Sequence, residues 1–269
     1  SFTGNMATYN GGAIYNSNSL NGNSTFIGNS ANMGGAIFNQ GSLTGTYNFT
    51  GNSATTGGAL CNYADATLNN TNFQDNTATT GGAVYNASGV TLTETQSAYT
   101  GNISYCGGAI FNQGTINETS TTFQNNQSTD GYGGAVLNDA DAIFTGYKNT
   151  FLNNIASYGG AVYNQGNITL NFCRIIANTG TDIYNNAGTV SAENNWWGYN
   201  FQGTPQSSGR INSNVNRWIV LSITSTNPVN GKSTVTVDLL HDNIGATIND
   251  IIPYTGLVTF STTMGTINS

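Results

Sequence analysis

A chain of 269 residues with 12 acidic and 5 basic side chains carries a formal net charge of −7, and only 6% of its residues are charged. That balance excludes the basic footprint of a nucleic-acid binder, and no apolar run reaches the roughly 18 residues that a membrane-spanning helix needs. Asparagine supplies 43 residues, so solubility rests on amides and hydroxyls, and the length predicts one long repeat domain plus a second module.

The chain opens inside a repeat. Neither an initiator Met nor a signal peptide precedes 2–5 (FTGN), which reads as a mature segment or an excerpt of something longer. Gly-Gly-Ala, an apolar pair and Asn then recur at 11–16 (GGAIYN), 34–39 (GGAIFN), 57–62 (GGALCN), 81–86 (GGAVYN), 107–112 (GGAIFN), 133–138 (GGAVLN) and 159–164 (GGAVYN). A worn copy stands at 180–185 (GTDIYN), and the seven full copies start 23, 23, 24, 26, 26 and 26 residues apart. Between them an aromatic, two residues and Asn recur at 2–5, 26–29, 49–52, 73–76, 99–102, 123–126 and 151–154, with a worn copy at 175–178. Apolar-alternating stretches such as 41–47 (GSLTGTY) and 166–172 (GNITLNF) lie between these fixed points. They read as strands bounded by Gly, Asn and Ser, and no segment holds a helical period.

A period near 24 residues, divided into three short strands and three turns, predicts an all-β fold: a single-chain, right-handed parallel β-helix of about eight coils. Stacked at about 4.8 Å per coil it forms a rod of about 38 Å. Leucine-rich repeats demand a leucine pattern that is absent, and propeller blades need nearly twice the length. The Gly pairs suit barred backbone angles and close approach of coils, whereas a phosphate cradle requires a strand followed by a helix N-terminus.

Alternation assigns faces. The aliphatic column Ile14, Ile37, Leu60, Val84, Ile110, Val136, Val162 and Ile183 is placed inside. An amide column of the same parity, Asn16, Asn39, Asn62, Asn86, Asn112, Asn138, Asn164 and Asn185, is expected to form a structural ladder that bonds to itself and to turn backbone groups. The opposite parity carries an alanine column, from Ala13 to Ala161, that ends in Asp182, so this face is expected to meet solvent or a partner. It also carries Tyr15, Phe38, Tyr85, Phe111, Tyr163 and Tyr184, interrupted by Cys61 and Leu137. Two placements stay open for these aromatics: an exposed interaction stripe or the core.

After Asn185 the repeat decays into 193–198 (ENNWWG), where Trp196 and Trp197 suit a plug over the last coil. The reading divides the chain into a β-helix over 1–198, a cap or linker over 199–218 and a partial Ig-like β-sandwich over 219–269. Strands are predicted at 219–225 (IVLSITS), 233–239 (STVTVDL) and 257–261 (LVTFS), only half of what such a sandwich needs. The missing strands are expected from a longer polypeptide or from a neighbour by strand addition. Cys61, Cys106 and Cys173, odd in number and at different points of the repeat, read as buried small hydrophobes.

The GGA and F-x-x-N motifs resemble the repeats of chlamydial polymorphic outer-membrane proteins. With NNWWG at 194–198, WIVLSIT from Trp218, STVTVDLLHDNIGATI and VTFSTTMGTI, the whole chain resembles the adhesin-like surface proteins of methanogenic archaea. The resemblance implies an extracellular, non-enzymatic protein of the cell surface that contacts other cells, surface glycans or proteins, with no cofactor, metal or catalytic residues to carry over. Eight N-x-S/T sequons fit export. Those at Asn23, Asn48, Asn69, Asn117 and Asn167 are candidates for glycosylation, whereas Asn86, Asn102 and Asn126 occupy the repeat's fixed columns and should stay unmodified. The alternatives are a fibre or envelope-lattice subunit that self-associates through open strand ends, and a polysaccharide lyase or hydrolase. The last needs juxtaposed carboxylates, whereas Asp65, Asp139 and Asp141 lack basic neighbours and fit turns better. His241 with Asp238 and Asp242 reads as a solvated strand end rather than a zinc site.

Overall fold

A computed structural model describes residues 1–230 and 232–253. Every regular element among them is a β-strand. The strands of the repeats wind into a parallel β-solenoid of eight coils, counted along the aliphatic column from Ile14 to Ile183. Equivalent residues pair in register, Val84 with Leu60 and Ile110, and Asn86 with Asn62 and Asn112. Two extended parallel sheets result, and a separate antiparallel pair follows them.

A full coil has four short legs rather than the expected three. In the fourth coil they are Val84–Asn86, Thr91–Thr95, Ala98–Thr100 and Ile103–Cys106. The unexpected leg precedes each Gly pair. In the preceding coil it is Thr77–Thr80, a polar stretch with no hydrophobic alternation to betray it.

Inside, the aliphatic column is fully buried from Ile37 onward. Opposite it, Phe26, Phe49, Phe73, Tyr99, Phe123 and Phe151 of the F-x-x-N motif are 0% exposed. Their rings stack nearly parallel at 4.5–5.1 Å. At this spacing each ring removes both neighbours' faces from water, which makes the column a large share of the hydrophobic stabilisation.

The alanine column does not meet solvent. Ala36, Ala59, Ala83, Ala109, Ala135 and Ala161 are 0% exposed and belong to the core. The corner after each Gly pair turns both alanine and the following aliphatic residue inward, so strict alternation fails there. Asp182, at the worn end of that column, is equally buried. Its carboxylate is held by Arg210 at 2.5 Å and by the Asn178 amide at 3.0 Å.

The two glycines divide the work. Gly57 sits at φ +62°, in the left-handed region, whereas a Cβ on Gly58 would lie 2.1 Å from the carbonyl oxygen of Gly82 in the next coil. The first glycine makes the turn, and the second lets the coils close.

The irregular segment after Asn185 lays a partial further coil on the rod, with Ile183 bridged to Ile211 and Asn195 to Trp218. Trp197, Ile211, Val215 and Trp218 pack into the rod's core, while Trp196 joins Ile219, Ile248 and Ile252 in a second cluster. The two adjacent tryptophans therefore face different cores, and both are buried. Beyond them Ile219–Ser225 pairs antiparallel with Val235–Asp242. Among the described residues this hairpin is the whole of the second module's sheet, and the strand predicted at 257–261 lies outside them.

Candidate functional site

The aromatic column of the GGA repeat stands outside the sealed core. Tyr15 is 50% exposed, and Tyr85, Phe111 and Tyr184 are half-buried, but Phe38 and Tyr163 are only 3% and 7% exposed. They are covered by other rings rather than by the core, which includes none of them. Within the column Tyr15 stacks on Phe38 at 5.3 Å, Tyr85 on Phe111 at 5.8 Å, and Tyr163 on Tyr184 at 5.7 Å.

Cys61 and Leu137 interrupt the column, and the first gap is closed by a residue the sequence reading missed. Tyr63 lies 5.4 Å from Phe38 and 6.0 Å from Tyr85, so five rings run unbroken from Tyr15 to Phe111. The signal was present in the sequence: a small residue in the column is followed two places later by a large aromatic one.

Polar groups flank the stripe at the position after Asn39, Asn112 and Asn138. Tyr15 donates its hydroxyl to Gln40 Oε1, and Tyr85 donates to Gln113 Oε1 at 2.5 Å. Gln113 passes the chain on, donating from Nε2 to Asp139 Oδ2 at 2.8 Å. Burial, reinforced by Tyr63, pushes the Tyr85 hydroxyl up to about 12, so it stays a donor at neutral pH.

Beyond Leu137 the surface changes. The positions before the sixth and seventh Gly pairs hold Tyr132 and Tyr158, also missed in the sequence, where earlier coils carry Thr80 and Cys106. The coil ending in Asn185 lacks a full Gly pair, so Tyr158 lies opposite Thr181 while Val162 lies opposite Ile183. That shift brings Tyr184 within 5.0 Å of Tyr158. Tyr132, Tyr158, Tyr163 and Tyr184 thereby gather with Asn186 around one cavity of about 240 Å³.

The amide column beneath the stripe is a continuous hydrogen-bond chain. Each asparagine donates from Nδ2 to Oδ1 of the next, at 2.6–3.0 Å, from Asn16 through Asn39, Asn62, Asn86, Asn112, Asn138 and Asn164 to Asn185. The F-x-x-N asparagines form a second chain. Asn102, for example, donates to Asn126 Oδ1 at 2.9 Å and to the Phe73 carbonyl at 3.0 Å. All amide dipoles in both chains point the same way along the rod, an arrangement in which each bond polarises the next.

The remaining candidates serve local structure. Asp65 accepts the Thr91 backbone N–H at 2.8 Å, and Asp141 occupies a turn at φ +63°. His241 Nδ1 lies 2.9 Å from Asp238, while Asp242 is buried against Arg217. Among the described residues no three His, Cys, Asp or Glu side chains gather as metal ligands, and no helix is long and apolar enough to cross a membrane. The cysteines are free, with Cys61 and Cys173 buried and Cys106 partly so. Of the candidate sequons, Asn23, Asn48, Asn69 and Asn167 are exposed and Asn117 is half-buried, whereas Asn86, Asn102 and Asn126 are 0% exposed.

Comparison with known families finds a match to the Chlamydia polymorphic membrane protein (Chlamydia_PMP) repeat, over residues 1–17, 23–40, 120–139 and 150–165. These stretches are a minority of the chain and fall on its GGA and F-x-x-N motifs. Searches of curated proteins and of solved structures return no match. The matched repeat and the parallel solenoid together describe a repeat β-helix of the kind found in surface proteins.

Proposed function

We propose that this chain is a non-enzymatic interaction module of the cell surface, whose outer aromatic stripe contacts glycans or proteins of other cells and surfaces. The observation that carries the reading is the stripe itself. Five rings in unbroken contact from Tyr15 to Phe111 lie outside a core already closed by aliphatic and phenylalanine columns. Rings that the core does not require, backed by a rigid amide ladder and rimmed by Gln40, Gln113 and Asp139, form a preorganised contact surface.

The match to a membrane-protein repeat supports a location outside the cell, as do the exposed sequons. So does the resemblance to methanogen adhesin-like proteins through 194–198 (NNWWG). In this reading residues 1–198 form the recognising rod, 199–218 close it, and 219–269 belong to an Ig-like module.

A glycan array and a cell-binding assay with the purified chain test the proposal, comparing wild type with Tyr15→Ala and Tyr85→Ala. Both variants are expected to keep the β-sheet circular dichroism spectrum and to lose at least tenfold in apparent affinity. Undiminished binding by both folded variants would remove the stripe as the contact face, and release of reducing ends from a polysaccharide panel would overturn the non-enzymatic reading.

A further inference from the structure

The tyrosine corner beyond Leu137 differs from the rest of the stripe in geometry and in unused hydrogen-bonding capacity. Tyr132 and Tyr158 stack at 5.7 Å with 15° between their planes, and Tyr163 and Tyr184 at 5.7 Å with 7°. The two pairs meet at 62–66°, forming a pair of walls around the cavity of about 240 Å³. Four other tyrosine hydroxyls are committed within the chain: Tyr15 to Gln40, Tyr47 to the Thr44 carbonyl, Tyr85 to Gln113 and Tyr99 to Glu94. The four hydroxyls of the corner and the Asn186 side-chain amide have no protein partner among the described residues.

We propose that this corner is a binding subsite for one neutral hexose unit of a glycan chain, an assignment that rests on the surface-contact reading above and gives it a ligand class. The cavity is smaller than the about 300–1,000 Å³ of drug-sized sites and suits a single sugar ring. Aromatic walls take the apolar C–H face of a pyranose, while phenol and amide groups match its ring of hydroxyls, each of which donates and accepts. No charged side chain lines the cavity, so an anionic sugar finds no counter-charge there. The subsite exists because of the repeat's own irregularity. The two-residue register shift in the worn coil lets Tyr184 close the corner against Tyr158.

The test uses methyl α-glucoside, methyl α-galactoside and methyl α-mannoside as probes, followed by saturation-transfer NMR and by tyrosine fluorescence of the full chain. At least one glycoside is expected to bind weakly. Tyr158→Ala and Asn186→Ala should each weaken it at least fivefold, while Asn23→Ala, at an exposed residue outside both the corner and the stripe, leaves it unchanged. Tyr158 is 46% exposed, so its truncation leaves the fold intact. If none of the three glycosides transfers saturation, or if binding survives both corner variants, the subsite is overturned. Persistence of array or cell binding in those same variants would then show that the surface-contact reading stands without it. Preferential binding of tetramethylammonium over all three glycosides would overturn the assignment in favour of a cation cage.

Discussion

Arg210 of the cap reaches into the rod and sets its guanidinium 2.5 Å from the carboxylate of Asp182, a residue that takes the place of alanine in a core column. The carboxylate also accepts from Asn178, the last member of the F-x-x-N amide chain. One ion pair thus fastens the cap to the end of a hydrogen-bond chain. Burial outweighs the attraction of Arg210 and pushes Asp182 up to about 7. Arg210→Ala is expected to cost about 3 kcal/mol at pH 8, where the carboxylate is left charged and buried. The cost should shrink at pH 5, where it is protonated. The double variant Asp182→Ala with Arg210→Met should stay within about 1 kcal/mol of wild type. Urea titrations at the two pH values measure this, and an equal loss at both would show that the pair holds by packing rather than by charge.

Two further carboxyls lie wholly inside the rod. Glu94 and Glu118 pair in register in adjacent coils, both 1% exposed, in an interior column that holds Leu68 on one side and Gly146 and Leu170 on the other. Tyr99 donates to Glu94, and among the described residues no cation balances the charge. Burial raises both carboxyls above the ordinary 4.5, and for Glu118 the charge on Glu94 adds to it. The folded rod therefore binds more protons than the unfolded chain above that value. Its stability is complete below about pH 4.5 and falls as pH climbs through the raised values. A higher urea midpoint at pH 4.5 than at pH 8 is expected, and the difference should shrink in Glu94→Gln with Glu118→Gln, leaving the part owed to Asp182. Glu118→Leu, which copies its neighbours in the column, should stabilise the rod at pH 8 by about 1–4 kcal/mol. A midpoint that rises with pH in wild type would refute the arrangement.

How much of this was legible in the sequence depends on which force fixes each residue. Columns set by repetition were plain, because Ile37, Leu60 and Val84 or Asn39, Asn62 and Asn86 recur at one point of the period and stack in register. The alanine column was misplaced because alternation holds only along a straight strand, and the backbone bends beside each Gly pair. The fourth leg was hidden because stretches such as 77–80 (TATT) carry no apolar signal, their strand being defined by neighbours on both sides. Tyr63, Tyr132 and Tyr158 escaped for a third reason. They lie off the aromatic column in sequence and reach it only through contacts between coils, which a single repeat does not display.

The division of labour within each Gly pair gives a graded test. Gly58→Ala puts a methyl 2.1 Å from the Gly82 carbonyl, where only a shift of one coil against the next makes room. Gly28 also has positive φ, at +61°, yet nothing lies within 4 Å of its absent Cβ. Gly28→Ala should therefore cost only backbone strain of about 1–2 kcal/mol. Gly58→Ala should cost about 3 kcal/mol or more by overpacking a sheet that cannot spread locally. Thermal denaturation of the two variants side by side decides the matter, and equal melting points would mean that the coils are not in the contact described.

The amide chains make opposite demands on asparagines that share one sequon pattern. Asn102 accepts from the backbone N–H and Nδ2 of Asn76 and donates to Asn126 and to the Phe73 carbonyl. Asn102→Ala strands groups on both sides in a site closed to solvent, and at about 1–3 kcal/mol for each unsatisfied group the expected loss is at least about 3 kcal/mol. Asn23, by contrast, is exposed, and its substitution should fall within about 0.5 kcal/mol of wild type. The same difference governs modification. A glycan on Asn86, Asn102 or Asn126 would have to stand in the closed interior and break the chain, whereas one on Asn23, Asn48, Asn69 or Asn167 projects into solvent. Peptide mapping after secretion from a glycosylating host should thus find glycan only on the outward-facing sites. Sugar on Asn102 in folded, soluble protein would mean that the F-x-x-N column does not run as an unbroken internal ladder.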